Sequence, residues 1–186
     1  MRKALYFLIV VVIQLFLIST AYSKKENIIT KHNEYGGKTE EKIYESDDKK
    51  YKEGIDHIVT HYNNQNLAVK IDYFYTEDHS KIDGIYRRDQ SFEYIPLKGT
   101  ILKKSEYYYT DAYSDIHGLT KTEIQYDDDG NNKKEEFFYT DAYAKRKVYS
   151  RVEVLYETGN PEKRIYYDKN NKVILTEEKK KVWKSD

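Results

Sequence analysis

The sequence predicts an all-β fold, an antiparallel meander of tandem tyrosine-rich hairpins that forms an elongated or curled open sheet behind a cleaved N-terminal signal segment. Three observations carry this reading. The phrase EYYYTDAY at 106–113 returns as EFFYTDAY at 136–143. Runs of alternating β-branched and aromatic residues recur between turn-forming Asp, Asn and Gly clusters. The chain also has 21 tyrosines and no cysteine, so its packing must rest on tyrosine rings without disulfides.

The chain opens with a signal-like segment. Arg2 and Lys3 make a basic head, and Ala4 to Ile18 make an apolar run broken only by Gln14. Ala21 and Ser23 then place small residues for cleavage after Ser23, with Ala21 a second position. The run is shorter than the roughly 20 apolar residues of a spanning helix. The expected division is therefore a signal peptide over 1–23, a loosely ordered segment over 24–38, and a β-repeat domain over 39–186. The expected location is secreted or periplasmic, with no membrane insertion after cleavage.

The signal segment takes Arg2 and Lys3 from the 32 basic residues and leaves all 32 acids, a balance of −2. Such a balance provides no electrostatic footprint for nucleic acid.

The repeat is the strongest signal. Tyr107–Tyr126 aligned on Phe137–Tyr156 gives identities at Tyr109, Thr110, Asp111, Ala112, Tyr113, Glu123 and Tyr126, and conservative pairs such as Lys121 with Arg151. A looser copy, DYFYTE at 72–77, extends the pattern upstream, with spacings of 34 and 30 between Tyr75, Tyr109 and Tyr139. Each unit reads as strand, turn, strand, turn, for about nine to eleven short strands in all. The repeated phrase marks a strand end and the turn after it. In LAVKIDYFY, Leu67, Val69, Ile71, Tyr73 and Tyr75 share a face. In RKVYSRVEVLYE, Val148, Ser150, Val152, Val154 and Tyr156 do. Only a short segment near Lys179–Trp183 has a helical pattern.

YDDDGNNKKEEFFY (126–139) and YETGNPEKRIYY (156–167) resemble the MORN-type and YwqK-type repeats. The resemblance implies an elongated, single-layer sheet of stacked hairpins and roles in protein or lipid contact, with some relatives acting as antitoxin or immunity components. Two departures are the missing regular glycine before each second strand and the alternation of long and short units.

Candidate chemistry is sparse. QYDDDGNNKKEE (125–136) overlaps a calcium-loop template, but Gln125 stands where a carboxylate is needed and Asp-Gly is a strong hairpin-turn signal. His57 and His61 would lie roughly 13 Å apart on a strand, too far to share a metal. Acid pairs such as Asp72/Asp83 or Glu93/Glu106 are arbitrary choices among 32 carboxylates. No nucleophile motif or phosphate loop occurs. No catalytic residue, metal or cofactor is therefore assigned.

An exposed ladder of rings suits a flat glycan or peptide, so Tyr75, Tyr109, Tyr113, Tyr139 and Tyr143 are the candidate binding residues. The expected function is non-enzymatic binding of a protein or cell-envelope glycan through a sheet face. The alternatives are a small hydrolase using paired carboxylates and an immunity or antitoxin-type repeat.

Overall fold

A computed structural model describes residues 27–179. They form one antiparallel sheet of eleven strands in strict sequence order. The strands are β1 (Asn27–His32), β2 (Gly36–Ile43), β3 (Ile55–Asn63), β4 (Ala68–Tyr75), β5 (Ile85–Ile95), β6 (Gly99–Tyr109), β7 (Leu119–Tyr126), β8 (Asn132–Tyr139), β9 (Arg151–Glu157), β10 (Asn160–Tyr167) and β11 (Val173–Glu178). Four short helices join strand pairs: α1 (Lys49–Lys52), α2 (Glu77–Asp83), α3 (Asp111–His117) and α4 (Asp141–Lys147). The expected signal peptide over 1–23 lies outside the described residues, as do Lys180 to Trp183. Of the stretch 24–38, expected to be loosely ordered, residues 24–26 lie outside the described residues, and the rest contributes β1 and the start of β2.

The alternation of connections gives the sheet two unlike rims. Tight turns line one, and four of the turns in the protein share a single design. Asn33, Asn63, Asp127 and Asp168 each use a side-chain Oδ1 to accept the N–H groups two and four residues on, at 2.8–3.1 Å. The fourth residue of each turn has positive φ and is Gly36, Asn66, Gly130 or Asn171. The last of these turns, between β10 and β11, stands on the opposite rim.

The helices occupy that opposite rim. Thr76, Thr110 and Thr140 cap α2, α3 and α4, each Oγ1 accepting the N–H of the third residue on. Gly84 and Gly118 close α2 and α3 in the left-handed conformation. Each cap is tied to the unit before it, because the N–H groups of Thr76, Thr110 and Thr140 donate to the carbonyls of Gly54, Gly84 and Gly118 at 2.7–2.9 Å.

The structure thus corrects the reading of two segments. The turn that the repeated phrase is expected to mark is a seven-residue helix, which begins within the phrase at Asp111 and Asp141. Val148, placed by pattern on a strand face with Ser150 and Val152, is the left-handed C-cap of α4, and β9 begins only at Arg151.

Little is enclosed. Among the described residues only Val152 and Val154 are buried apolar side chains, whereas Asp72, Asp89, Ser105, Thr122 and Glu136 are among the buried polar ones. Cross-strand pairing within one layer, at roughly 0.2–1 kcal/mol per favourable pair, therefore carries the sheet.

Candidate functional site

Strand alternation sorts the side chains onto two faces, and the register shows what each presents. One face is ionic. Asp72, Asp89, Glu106, Glu123, Glu136 and Glu153 stand directly opposite one another across β4 to β9. Two residues before each lies a cation: Lys70, Arg87, Lys104, Lys121, Lys134 or Arg151. Antiparallel strands put these cations alternately on either side of the acid row, so each hairpin closes a four-charge cluster. In β6/β7, Lys104 and Lys121 reach Glu106 at 3.0 and 2.8 Å, and Lys121 reaches Glu123 at 3.1 Å. In β4/β5, Lys70 and Arg87 hold Asp72 and Asp89, and in β8/β9, Lys134 and Arg151 hold Glu136. Burial raises the Glu106 carboxyl, but hydrogen bonds from Lys121 and Lys104 outweigh it and hold it at about 2. The Glu136 carboxyl is lowered in the same way, burial being outweighed by Lys134 and Arg151.

Aromatic rings alternate with the cations on the helix side of this row. Phe74 and Tyr108 flank Arg87, with ring centroids 5.2 and 5.3 Å from its guanidinium. Phe138 lies 4.8 Å from Lys121, and Tyr167 lies 3.8 Å from Arg151.

The other face is paved with tyrosine. Tyr73, Tyr107, Phe137 and Tyr166 stand at one level on β4, β6, β8 and β10, separated by Arg88, Thr122 and Val152 on the strands between. Two strands span about 10 Å, which sets the spacing of these rings. A second row, Tyr75, Tyr109 and Tyr139, lies two residues nearer the helices. Small residues sit beneath the rings. Tyr126 Oη donates to Ser105 Oγ at 3.4 Å, and Tyr109 Oη shares a 3.1 Å hydrogen bond with Thr122 Oγ1. Ser105 is 1% exposed under this cover.

The five candidate tyrosines lie along the junction of this face with the helices, as two stacked pairs and Tyr75 apart from them. Tyr109 stacks on Tyr113 and Tyr139 on Tyr143, each at 4.8 Å, while Tyr75 stacks on His79 at 4.7 Å because the first copy has histidine in the helix. All five are half-buried. Burial raises the phenol pKa of Tyr75, Tyr109 and Tyr139, so they remain neutral hydrogen-bonding groups at neutral pH. Burial pushes Tyr156, near the turn rim, up to about 12, with Glu135 adding to it. Tyr149 joins Tyr139, Tyr143 and Tyr166 edge to face, extending the cluster to β10.

Other sequence candidates have local partners. His61 lies 3.2 Å from Asp72 and 3.1 Å from Thr39 Oγ1, and His57 lies 2.7 Å from Asp56 and stacks on Phe74. In the 125–136 segment, Asp127 accepts backbone N–H groups, while Asp128 and Asp129 pair with Lys103 and Lys98. No group of three or more His, Asp or Glu able to hold a metal occurs among the described residues. Of the acid pairs, Asp72 and Glu106 belong to the ionic row, Asp83 pairs with His79 at 3.0 Å, and Glu93 lies exposed 3.6 Å from Lys103.

Sequence reasoning missed the ionic row and Arg88. The row was visible as KID, RRD, KSE, KTE, KEE and RVE, whose acids recur at 72, 89, 106, 123, 136 and 153. Arg88 was visible as a departure from the repeat, since the same place in the next two copies holds Thr122 and Val152. Comparison of the chain with family models, curated proteins and solved structures finds no match in any of the three.

Proposed function

We propose that this chain is a non-enzymatic, exported binding protein that holds a protein or a cell-envelope glycan against the tyrosine face of its sheet. The observation that carries the proposal is the set of rings on β4, β6, β8 and β10, held at one level on an open face with Arg88, Thr122 and Val152 between them. Such rings offer apolar area, and the three tyrosines add polar tips, which suits sugar rings and partner side chains alike. The carboxylates support the same reading. Glu106, held at about 2, is far from the raised pKa that a glycosidase acid needs. An open meander is also the architecture that the MORN-type resemblance implies.

The test is binding of residues 24–186 to an array of envelope glycans and surface proteins, run beside the Tyr73→Ala/Tyr107→Ala double variant. A saturable partner lost in the double variant supports the proposal. A partner held equally by both proteins places the contact elsewhere and overturns it.

A further inference from the structure

We infer that Arg88 makes the β4–β6 part of the tyrosine face a subsite for the carboxylate of an acidic glycan, one containing uronic acid units. The inference rests on the binding role proposed above and names its ligand class.

The repeat isolates the residue. Arg88, Thr122 and Val152 occupy one place in three copies, each between two aromatic residues on neighbouring strands. Only the first copy puts a cation there. Its neighbour Arg87 points to the ionic face and grips Asp89 at 2.6 Å. Arg88 points to the tyrosine face, where its guanidinium lies 4.4 Å from the centroid of Tyr73. Among the described residues no carboxylate pairs with it, and its Nε is buried without an acceptor. Arg151 has a similar orphan Nε, but its terminal nitrogen is bound to Glu136.

A half-buried guanidinium without a counter-charge is costly, and a planar carboxylate bound in two-point fashion is its best-matched partner. Because Nε is covered, the two Nη nitrogens are the edge presented to a ligand. Directly across from Arg88 are Tyr73 and Tyr107. Two residues along the same strand face is Gln90, opposite Ile71 and Ser105. Rings beside the charge suit the apolar faces of sugars, and the Gln90 amide both donates and accepts for ring hydroxyls.

An acidic peptide fits less well. Extended peptides gain affinity by adding to a free strand edge. β5 has both edges already paired in the interior of the sheet.

The experiment measures calorimetric binding of the full chain to de-esterified oligogalacturonate, with its methyl ester as neutral control. The wild type should prefer the acid form by about tenfold or more, the scale of one charge-assisted pair. Arg88→Gln should reduce acid binding to the methyl-ester level. Arg88→Lys, which keeps charge without the fork, should fall between them and guards against a folding artefact. Thr122→Ala, one copy along, should retain the preference.

Equal binding of the two oligosaccharides, or a preference that survives Arg88→Gln, overturns the carboxylate subsite. If that equal binding is lost in the Tyr73/Tyr107 double variant, the tyrosine-face reading stands without it. Binding of polyglutamate through Arg88, with no binding of oligogalacturonate, overturns the glycan in favour of a protein. Binding of neither probe overturns the inference, and the array then decides the tyrosine-face reading on its own.

Discussion

At the residue scale, the C-caps show how one position can demand glycine for two separate reasons. Gly84 and Gly118 have φ of 73° and 75°, and the ring of the next helix lies directly on each: Tyr113 on Gly84 and Tyr143 on Gly118. A Cβ would meet both a left-handed backbone and an aromatic ring. Val148 has the same backbone, φ 73°, but stands where the run of capped helices ends, and its side chain is 71% exposed. Space therefore permits valine there although the backbone disfavours it. Gly118→Ala should destabilise the protein by about 2–3 kcal/mol, the left-handed penalty plus a displaced ring. Val148→Gly should raise stability by about 1 kcal/mol, since strain relief exceeds the added freedom of the unfolded chain. Thermal melts of the two variants check this, and a drop for Val148→Gly would mean that the valine makes contacts that compensate its strain.

At the element scale, the helices and the hairpin turns were unequally legible. The Asp-Asp-Gly and Asn-Asn runs announced turns because their chemistry is local: one side-chain oxygen takes two backbone N–H groups. The helices escaped because seven residues make under two turns, too few for a 3.6-residue period to show. Their ends were written in the sequence all the same, as Thr-Glu-Asp before Gly84 and Thr-Asp-Ala before Gly118. Thr110→Ala should cost about 1 kcal/mol and loosen α3, read as faster hydrogen exchange in residues 111–117. Exchange unchanged in α3 would show that the Thr110–Gly84 backbone bond and the Tyr109–Tyr113 stack suffice. In the 127–131 turn, Asp127 is lowered by its backbone bonds to Asn131 and then by the other N–H groups of the loop. Millimolar calcium should therefore leave the melting temperature unchanged, and a rise would mean that the carboxylates exchange their protein partners for the ion.

At the scale of the whole molecule, a sheet with two buried apolar side chains among the described residues must find its cohesion along its length. The strand order was legible because every connection is short, which leaves a meander as the simplest path. The ionic row showed in the sequence only as a recurring cation two residues before an acid, because it takes the antiparallel register to set acid beside acid with the cations alternately on either side. This arrangement makes stability depend on pH. Glu106 titrates at about 2 when folded against an ordinary 4.5, so its contribution is complete above about 4.5 and disappears as pH falls towards 2. Glu136 is lowered in the same direction. Protonation of Glu106 and Glu136 also leaves Lys104, Lys121, Lys134 and Arg151 without the carboxylates that hold them. The melting temperature should thus hold steady from neutral pH to about 5 and then fall steeply, with added salt softening the fall by screening the remaining cations.

The rest of the sheet's cohesion is decided at its ends. β11 covers the edge of β10, its Glu177 accepting from Tyr166 Oη at 2.9 Å and its Glu178 pairing with Lys163 at 3.1 Å. Removing residues 169–186 would strip these partners and open a strand edge carrying Ile165, Tyr166 and Tyr167, a surface suited to pairing with a second chain. Sedimentation should show self-association of the truncated chain, with the intact chain monomeric at the same concentration. A truncated chain that stays folded and monomeric would show that the charges on β10 guard its edge without β11.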